Sequence, residues 1–329
     1  MVLSCKKSGE YIASHSTHVK IKDEGIKKLG DTIVEEIKSG NFSTNFSQVD
    51  VHPSPEDSFA LDWLLVADTL NFCFWHVEGE VGWCVEGYTG YFALCAAINK
   101  AVKNNPEFVN PKYYYNITEV ELEKVLKSDN HVQIPLLPER VNCLREVGTI
   151  LLNKYDGSFE KLVKEADGSA ERLLNIIVSN FQCFRDEAVF KGERVALYKR
   201  AQILIGDIWS CFKNEGIGHF RDIEHITMFA DYRVPQTLIY YGVLEYSEDL
   251  QKKLLSNTTL QNGSLEEVEI RGCSIQSVEL LREYISKQLP SHQVNSIMLD
   301  HFLWDFRRKH AEEIVKLKIP FHKTFSIYY

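Results

Sequence analysis

The chain has 329 residues, 44% of them hydrophobic and 25% charged, enough to bury a large core as one domain or as two lobes. Eighteen glycines and nine prolines are too few for a collagen-like or low-complexity chain. A formal net charge of -9 argues against polymeric nucleic acid as the main partner, because gripping a phosphate backbone takes a basic face. It leaves room for a small nucleotide held by one or two cations.

The N-terminus, Met1 to Glu10, turns polar after three residues and lacks the apolar centre of a secretory signal. No run of 18 apolar residues occurs, so no transmembrane helix and no membrane partner are expected. Ala60 to Trp75 is strongly apolar but interrupted by Asp62, Asp68 and Asn71. Its aromatics Phe72, Phe74 and Trp75 suit either a core or a slot for a flat base. Val81–Val85 followed by Gly87–Gly90 reads as a small β-hairpin punctuated by glycine. Thr118-Glu-Val-Glu121 is a capping box that opens a helix to about Lys127.

Helical periodicity dominates the rest of the chain. Val141, Leu144, Gly148, Leu151 and Leu152 form one stripe, ended near Asp156-Gly157. Leu173, Leu174, Ile177, Val178 and Phe181 form another behind the cap Ser169. Val195, Tyr198, Gln202, Ile205 and Trp209 share a face that predicts a helix from about Arg194 to Phe212. Ser256 to Ser264 is the most loop-like interior stretch. Val278, Leu281 and Ile285 belong to a helix stopped by Pro290, and a last long helix runs from about Val294 to His310 before an extended tail at Pro320. The expectation is a mainly α fold with one small hairpin, residues 1–329 forming a single domain or two helical lobes with no visible boundary.

No Gly-x-Gly-x-x-Gly or phosphate-binding loop follows a strand, which argues against a Rossmann or P-loop enzyme. The eight cysteines (Cys5, Cys73, Cys84, Cys95, Cys143, Cys183, Cys211 and Cys273) form no Cys-x-x-Cys pair. They read as reduced, mostly buried thiols of an intracellular, cytoplasmic protein. The histidine spacings complete no ligand set, so no metal and no cofactor are expected.

The chemistry concentrates in two places. In Ile226-Thr-Met-Phe-Ala-Asp-Tyr-Arg233, Asp231 follows apolar residues and must be paired or desolvated. Its plainest role is a cap for a helix starting near Val234, or an ion pair with Arg233. In Asn295–Phe306, Asp300 and Asp305 lie on an aromatic-rich helix about 140° apart, able to flank a pocket but not to share a narrow face. Lys199 is a cation that could hold a phosphate or lie on a solvated helix face.

These same segments resemble the queuosine salvage family. The stretches that carry the likeness are Asp68–Trp75, Gly90–Ala97, Tyr198–Leu204, Ile226–Arg233, Glu269–Cys273, Leu299–Asp305, Ile319–His322 and Ile327–Tyr329. The resemblance implies a helical fold like that of DNA glycosylases. It implies hydrolysis of the N-glycosidic bond of queuosine 5'-monophosphate, with queuine released for reinsertion into tRNA. It assigns catalysis to Asp231 and queuine contacts to His52, Phe229, Ala230, Asp231, Asp300, His301 and Asp305. His301 stands where other members have a tyrosine.

The physics of the reaction accepts these groups. Cleaving a ribosyl C–N bond passes through an oxocarbenium-like state, which a carboxylate beside the anomeric carbon stabilises or attacks. Queuine, a 7-deazaguanine, has no N7 to protonate, so either help for the leaving group comes on the carbonyl side of the base or the ribosyl cation is stabilised unusually well. Two other readings compete: a nucleic-acid glycosylase that flips a base, and a non-catalytic helical adaptor.

Overall fold

Apolar residues at three- and four-residue spacing set the backbone. In the computed structural model, which describes residues 1–42, 50–76 and 81–329, the described residues form fifteen α-helices and seven short strands. In chain order the helices are α1 (Cys5–His15), α2 (Asp23–Lys38), α3 (Ala60–Leu70), α4 (Gly90–Asn104), α5 (Pro111–Tyr114), α6 (Glu119–Val125), α7 (Leu137–Tyr155), α8 (Phe159–Glu165), α9 (Ala170–Asn180), α10 (Lys199–Cys211), α11 (Val234–Tyr240), α12 (Glu248–Leu255), α13 (Leu265–Gln288), α14 (Ser296–Lys309) and α15 (Ala311–Lys316). The strands are β1 (Val2–Leu3), β2 (Val19–Ile21), β3 (Cys84–Val85), β4 (Tyr88–Thr89), β5 (Glu187–Phe190), β6 (Glu193–Ala196) and β7 (Leu244–Tyr246). They pair as β1-β6-β5, β2-β7 and β3-β4, with only β1 and β6 parallel. Among the described residues no helix is long and apolar enough to cross a membrane.

The chain divides into two compact units. One comprises Met1–Thr44, Asp186–Gln202 and Glu224–Phe325, the other Asn45–Arg185, Ile203–Ile223 and Ser326–Tyr329. Each is assembled from separate stretches, which is why no single linker marks a boundary in the sequence.

In the first unit α13 is the central rod. Its 24 residues span about 36 Å and pack against α1, α2, α11 and α14. α1 approaches so closely that a Cβ on Gly272 would lie 2.4 Å from the Cδ1 of Ile12. Ile12, Cys273, Val278, Leu281 and Ile285 are buried in the resulting core. Each large aliphatic side chain there contributes roughly 1.5–3 kcal/mol of burial. Glu269, buried on the same helix, accepts the backbone N–H of Thr17 at 2.9 Å and of His18 at 2.6 Å, tying the start of β2 to α13.

In the second unit α3 is buried on nearly all sides, as its run of apolar residues requires. Its C-terminal carbonyls are satisfied by Arg140 of α7. That guanidinium donates to Leu70 O, to Phe72 O at 2.5 Å and to Cys73 O at 3.1 Å, and lies 4.3 Å from the Phe72 ring centroid. Phe72 is therefore a core residue that carries a buried cation. Asn71 donates to Asp68 Oδ1 at 3.2 Å, closing part of the polar set within this apolar segment.

Most predicted elements stand where periodicity puts them. The Thr118–Glu121 capping box closes both ways, Ser169 caps α9, and α7 ends on Asp156 in the left-handed conformation. The predicted hairpin is β3–β4, shorter than expected. One element differs. The helix expected from Arg194 begins only at Lys199, and Val195 sits in β6. Lys191 and Gly192, with φ of 47° and 92°, make a tight turn that folds β6 back on β5, and β-branched Val195 suits a strand.

Candidate active site

The Asp231 segment is an extended strip pinned at successive residues. The Gln202 side chain on α10 accepts the Thr227 N–H at 2.9 Å, and its amide donates to the Thr227 hydroxyl at 2.8 Å. Phe229 N–H donates to Asp300 Oδ1 at 2.9 Å. Ala230 O accepts Arg271 Nε at 2.8 Å. Asp231 N–H donates back to Phe229 O at 2.6 Å, so the chain turns sharply at the carboxylate.

Asp231 is held by one oxygen only. Its Oδ1 accepts the N–H groups of Arg233 and Val234, both at 2.8 Å, which is the capping role read from sequence. Among the described residues its Oδ2 accepts no hydrogen bond, and no Arg233–Asp231 ion pair forms within 4 Å. The cap thus fixes the carboxylate while leaving an oxygen for a ligand. Asp231 is half-buried, and desolvation raises its carboxyl above the ordinary range against the pull of the Val234 N–H and the Lys199 charge.

Asp300, on the inner face of α14, is buried. Burial first, and then the negative charge of Asp231, push its carboxyl well above the usual carboxylate range, with the Phe229 N–H and Lys199 opposing. Lys199 is itself buried, and the solvated helix face does not apply. The two acids thus feel the same Lys199 charge, and Asp300 feels the charge of Asp231 as well. Asp300 is the more buried of the two acids and the more strongly raised.

A buried ion cluster supports this strip. Arg271, on α13, donates to Asp186 at 3.0 and 2.5 Å and to Glu267 at 3.1 Å while its Nε holds the Ala230 carbonyl. Asp186 also accepts the backbone N–H of Lys199 at 3.1 Å. One guanidinium thereby links the start of α10 to the turn that carries Asp231.

The other residues singled out by sequence lie as follows. His301 is half-buried, its ring centroid 6.2 Å from that of Phe229. Asp305 is exposed on α14; partial desolvation raises its carboxyl and the charges of Lys309 and Arg308 pull it back. The structure brings Asp231, Asp300, Phe229, Ala230 and Lys199 together and leaves Asp305 outside that hydrogen-bonded set. His52 belongs to the second unit, where its ring lies 5.6 Å from Tyr91, 5.9 Å from Phe92 and 6.4 Å from Trp63.

Residues 51–329 match the family described as queuosine salvage protein. A mouse protein named queuosine 5'-phosphate N-glycosylase/hydrolase is 41% identical over 337 residues, covering 99% of both chains. The chain belongs to the queuosine salvage family. Members of the same name from Schizosaccharomyces pombe (36% identical, 98% of this chain and 99% of the relative) and Sphaerobacter thermophilus (35% identical, 85% and 84%) are also similar.

Arg271, Asp186 and Glu267 escaped the residue-by-residue reading of this family member. Glu267 and Arg271 stand four apart on α13, a spacing that permits an ion pair but does not announce burial. Asp186 lies 85 residues away in sequence, and only folding brings it to the same guanidinium.

Proposed function

We propose that this chain hydrolyses the N-glycosidic bond of queuosine 5'-monophosphate, yielding queuine and ribose 5-phosphate. The observation that carries the reading is Asp231: one oxygen clamped by two backbone N–H groups, the other open, next to a buried acid. The names of its relatives point to the same substrate.

On this reading the C–N bond lengthens and positive charge gathers on the ribose. The ionised Asp231 stabilises that charge through Oδ2, or attacks the anomeric carbon. Asp300, holding its proton, donates a hydrogen bond to the carbonyl side of the deazaguanine, where the departing base gathers electrons. Water supplies hydroxyl to the sugar and a proton to the base nitrogen. Phe229, Ala230 and His301 supply queuine contacts that the resemblance assigns, and Asp305 meets the ligand's ammonium. Lys199, which the sequence offers for the 5'-phosphate, serves here to balance the acid pair. The eight free cysteines suit an enzyme of a reducing, intracellular compartment.

The test is direct. Purified protein incubated with queuosine 5'-monophosphate should release queuine, detected by mass, and Asp231→Asn should not. Release by the Asn variant at the wild-type rate would remove Asp231 from the reaction. No release by the wild type would remove the function.

A further inference from the structure

Two arginines within electrostatic reach of Asp231 have no carboxylate within 4 Å among the described residues. Arg233 lies two residues beyond it, its guanidinium 4.1 Å from the Phe321 ring centroid and 5.1 Å from that of Tyr232. Its Nη1 reaches Gln236 Oε1 at 3.4 Å, and Arg307 Nε reaches the same oxygen at 3.0 Å. Gln236 is buried and anchored through Nε2 to Ile319 O at 2.8 Å. Two positive groups thus converge on one neutral oxygen. Among the described residues neither has a carboxylate within 4 Å, and neither terminal nitrogen of Arg307 has a hydrogen-bond partner.

Like charges held together without a counter-ion are costly in a half-buried place. Desolvation, and then the charge of Arg233, lower Arg307 to about 10. An incoming anion relieves both effects. Two guanidinium forks match a phosphate monoester, which carries close to two negative charges and accepts bidentate bonds. Placement agrees as well. Arg307 follows Asp300 by seven residues on α14, hence nearly the same helical face about 10 Å further along. That is the order of separation between the base edge and the 5'-phosphate of a nucleotide.

We propose that Arg233 and Arg307, bridged by Gln236, form the subsite for the substrate's 5'-phosphate. This rests on the nucleotide reading above and assigns the phosphate to the arginine pair, leaving Lys199 to the carboxyls.

The experiment compares Arg307→Gln with the wild type on queuosine 5'-monophosphate and on the phosphate-free nucleoside. It also measures ribose 5-phosphate binding by calorimetry. Loss of a charge-assisted hydrogen bond predicts kcat/KM for the monophosphate lower by about 10- to 100-fold, mainly through KM, with a much smaller loss on the nucleoside. Ribose 5-phosphate should bind about 10-fold or more weakly by the same count. Arg307→Lys, which keeps a charge but not the fork, should recover part of both losses. Equal losses on the two substrates, or ribose 5-phosphate affinity unchanged in Arg307→Gln, would overturn the assignment. Absence of queuine release by the wild type would count against the proposed function alone, because calorimetry still decides the phosphate site.

Discussion

Replacing Arg271 with Met separates the ion cluster from the carboxylate it supports. Met fills the space of the arginine stem and brings no charge. The substitution removes the bonds to Asp186 at 3.0 and 2.5 Å, to Glu267 at 3.1 Å and to Ala230 O at 2.8 Å, all in the interior. Arg271, Asp186 and Glu267 are each 3% exposed or less, so water does not replace the lost partner. Taking one member from a buried ion pair costs about 3–5 kcal/mol. A domain with about 5–15 kcal/mol of total stability would lose a large part of it. Urea unfolding should show a lower midpoint at unchanged slope. Turnover should fall as well, because the Ala230 carbonyl fixes the turn before Asp231, and a displacement near 1 Å at a reacting group can cost about 100-fold. Adding Asp186→Asn should return part of the stability by removing a charge that Arg271 no longer meets. A singly substituted Arg271→Met protein as stable and as active as the wild type would refute this account of the cluster.

Other consequences can be checked alongside it. Asp231→Asn keeps an oxygen for the Arg233 and Val234 N–H groups, so it should fold normally and bind queuine while losing turnover by at least about 100-fold, read by mass and by calorimetry. Asp300 binds its proton more tightly folded than unfolded, so wild-type stability falls as pH rises above the ordinary carboxylate range. Asp300→Asn has no proton to lose, so its stability relative to wild type should grow, by denaturant titration, as pH rises above the ordinary carboxylate range; a difference flat in pH would contradict the burial argument. The same variant should lose the alkaline limb of the pH–rate profile if Asp300 acts as the proton holder. Gly272→Ala places a methyl 2.4 Å from Ile12 Cδ1 and should cost about 1–3 kcal/mol, seen as a lower Tm with kcat for the folded enzyme little changed.

Periodicity and capping chemistry already determine much of this protein in the sequence. The stripe from Leu173 to Val178, the Thr118–Glu121 box and the Asp156-Gly157 stop each specify a local structure whose energy comes from neighbours in the chain. Long ordered stretches such as Phe229-Ala-Asp231 and Leu299–Asp305 likewise carry the family resemblance unaided. The start of α10 was not legible, because Val195 satisfies a helical stripe as well as it suits a strand. The turn at Lys191-Gly192 and the pairing of β6 with β5 decide between them. Nor does Asp231 declare from its neighbours alone whether it caps a helix or meets a substrate; its geometry shows that one oxygen can cap while the other stays open. The Phe229–Asp300 bond beside Asp231, the Arg271–Asp186 bridge and the Arg307–Gln236 bond join residues scores of positions apart. Charge interactions of that kind depend on distance and burial in space, and the order of residues along a chain fixes neither.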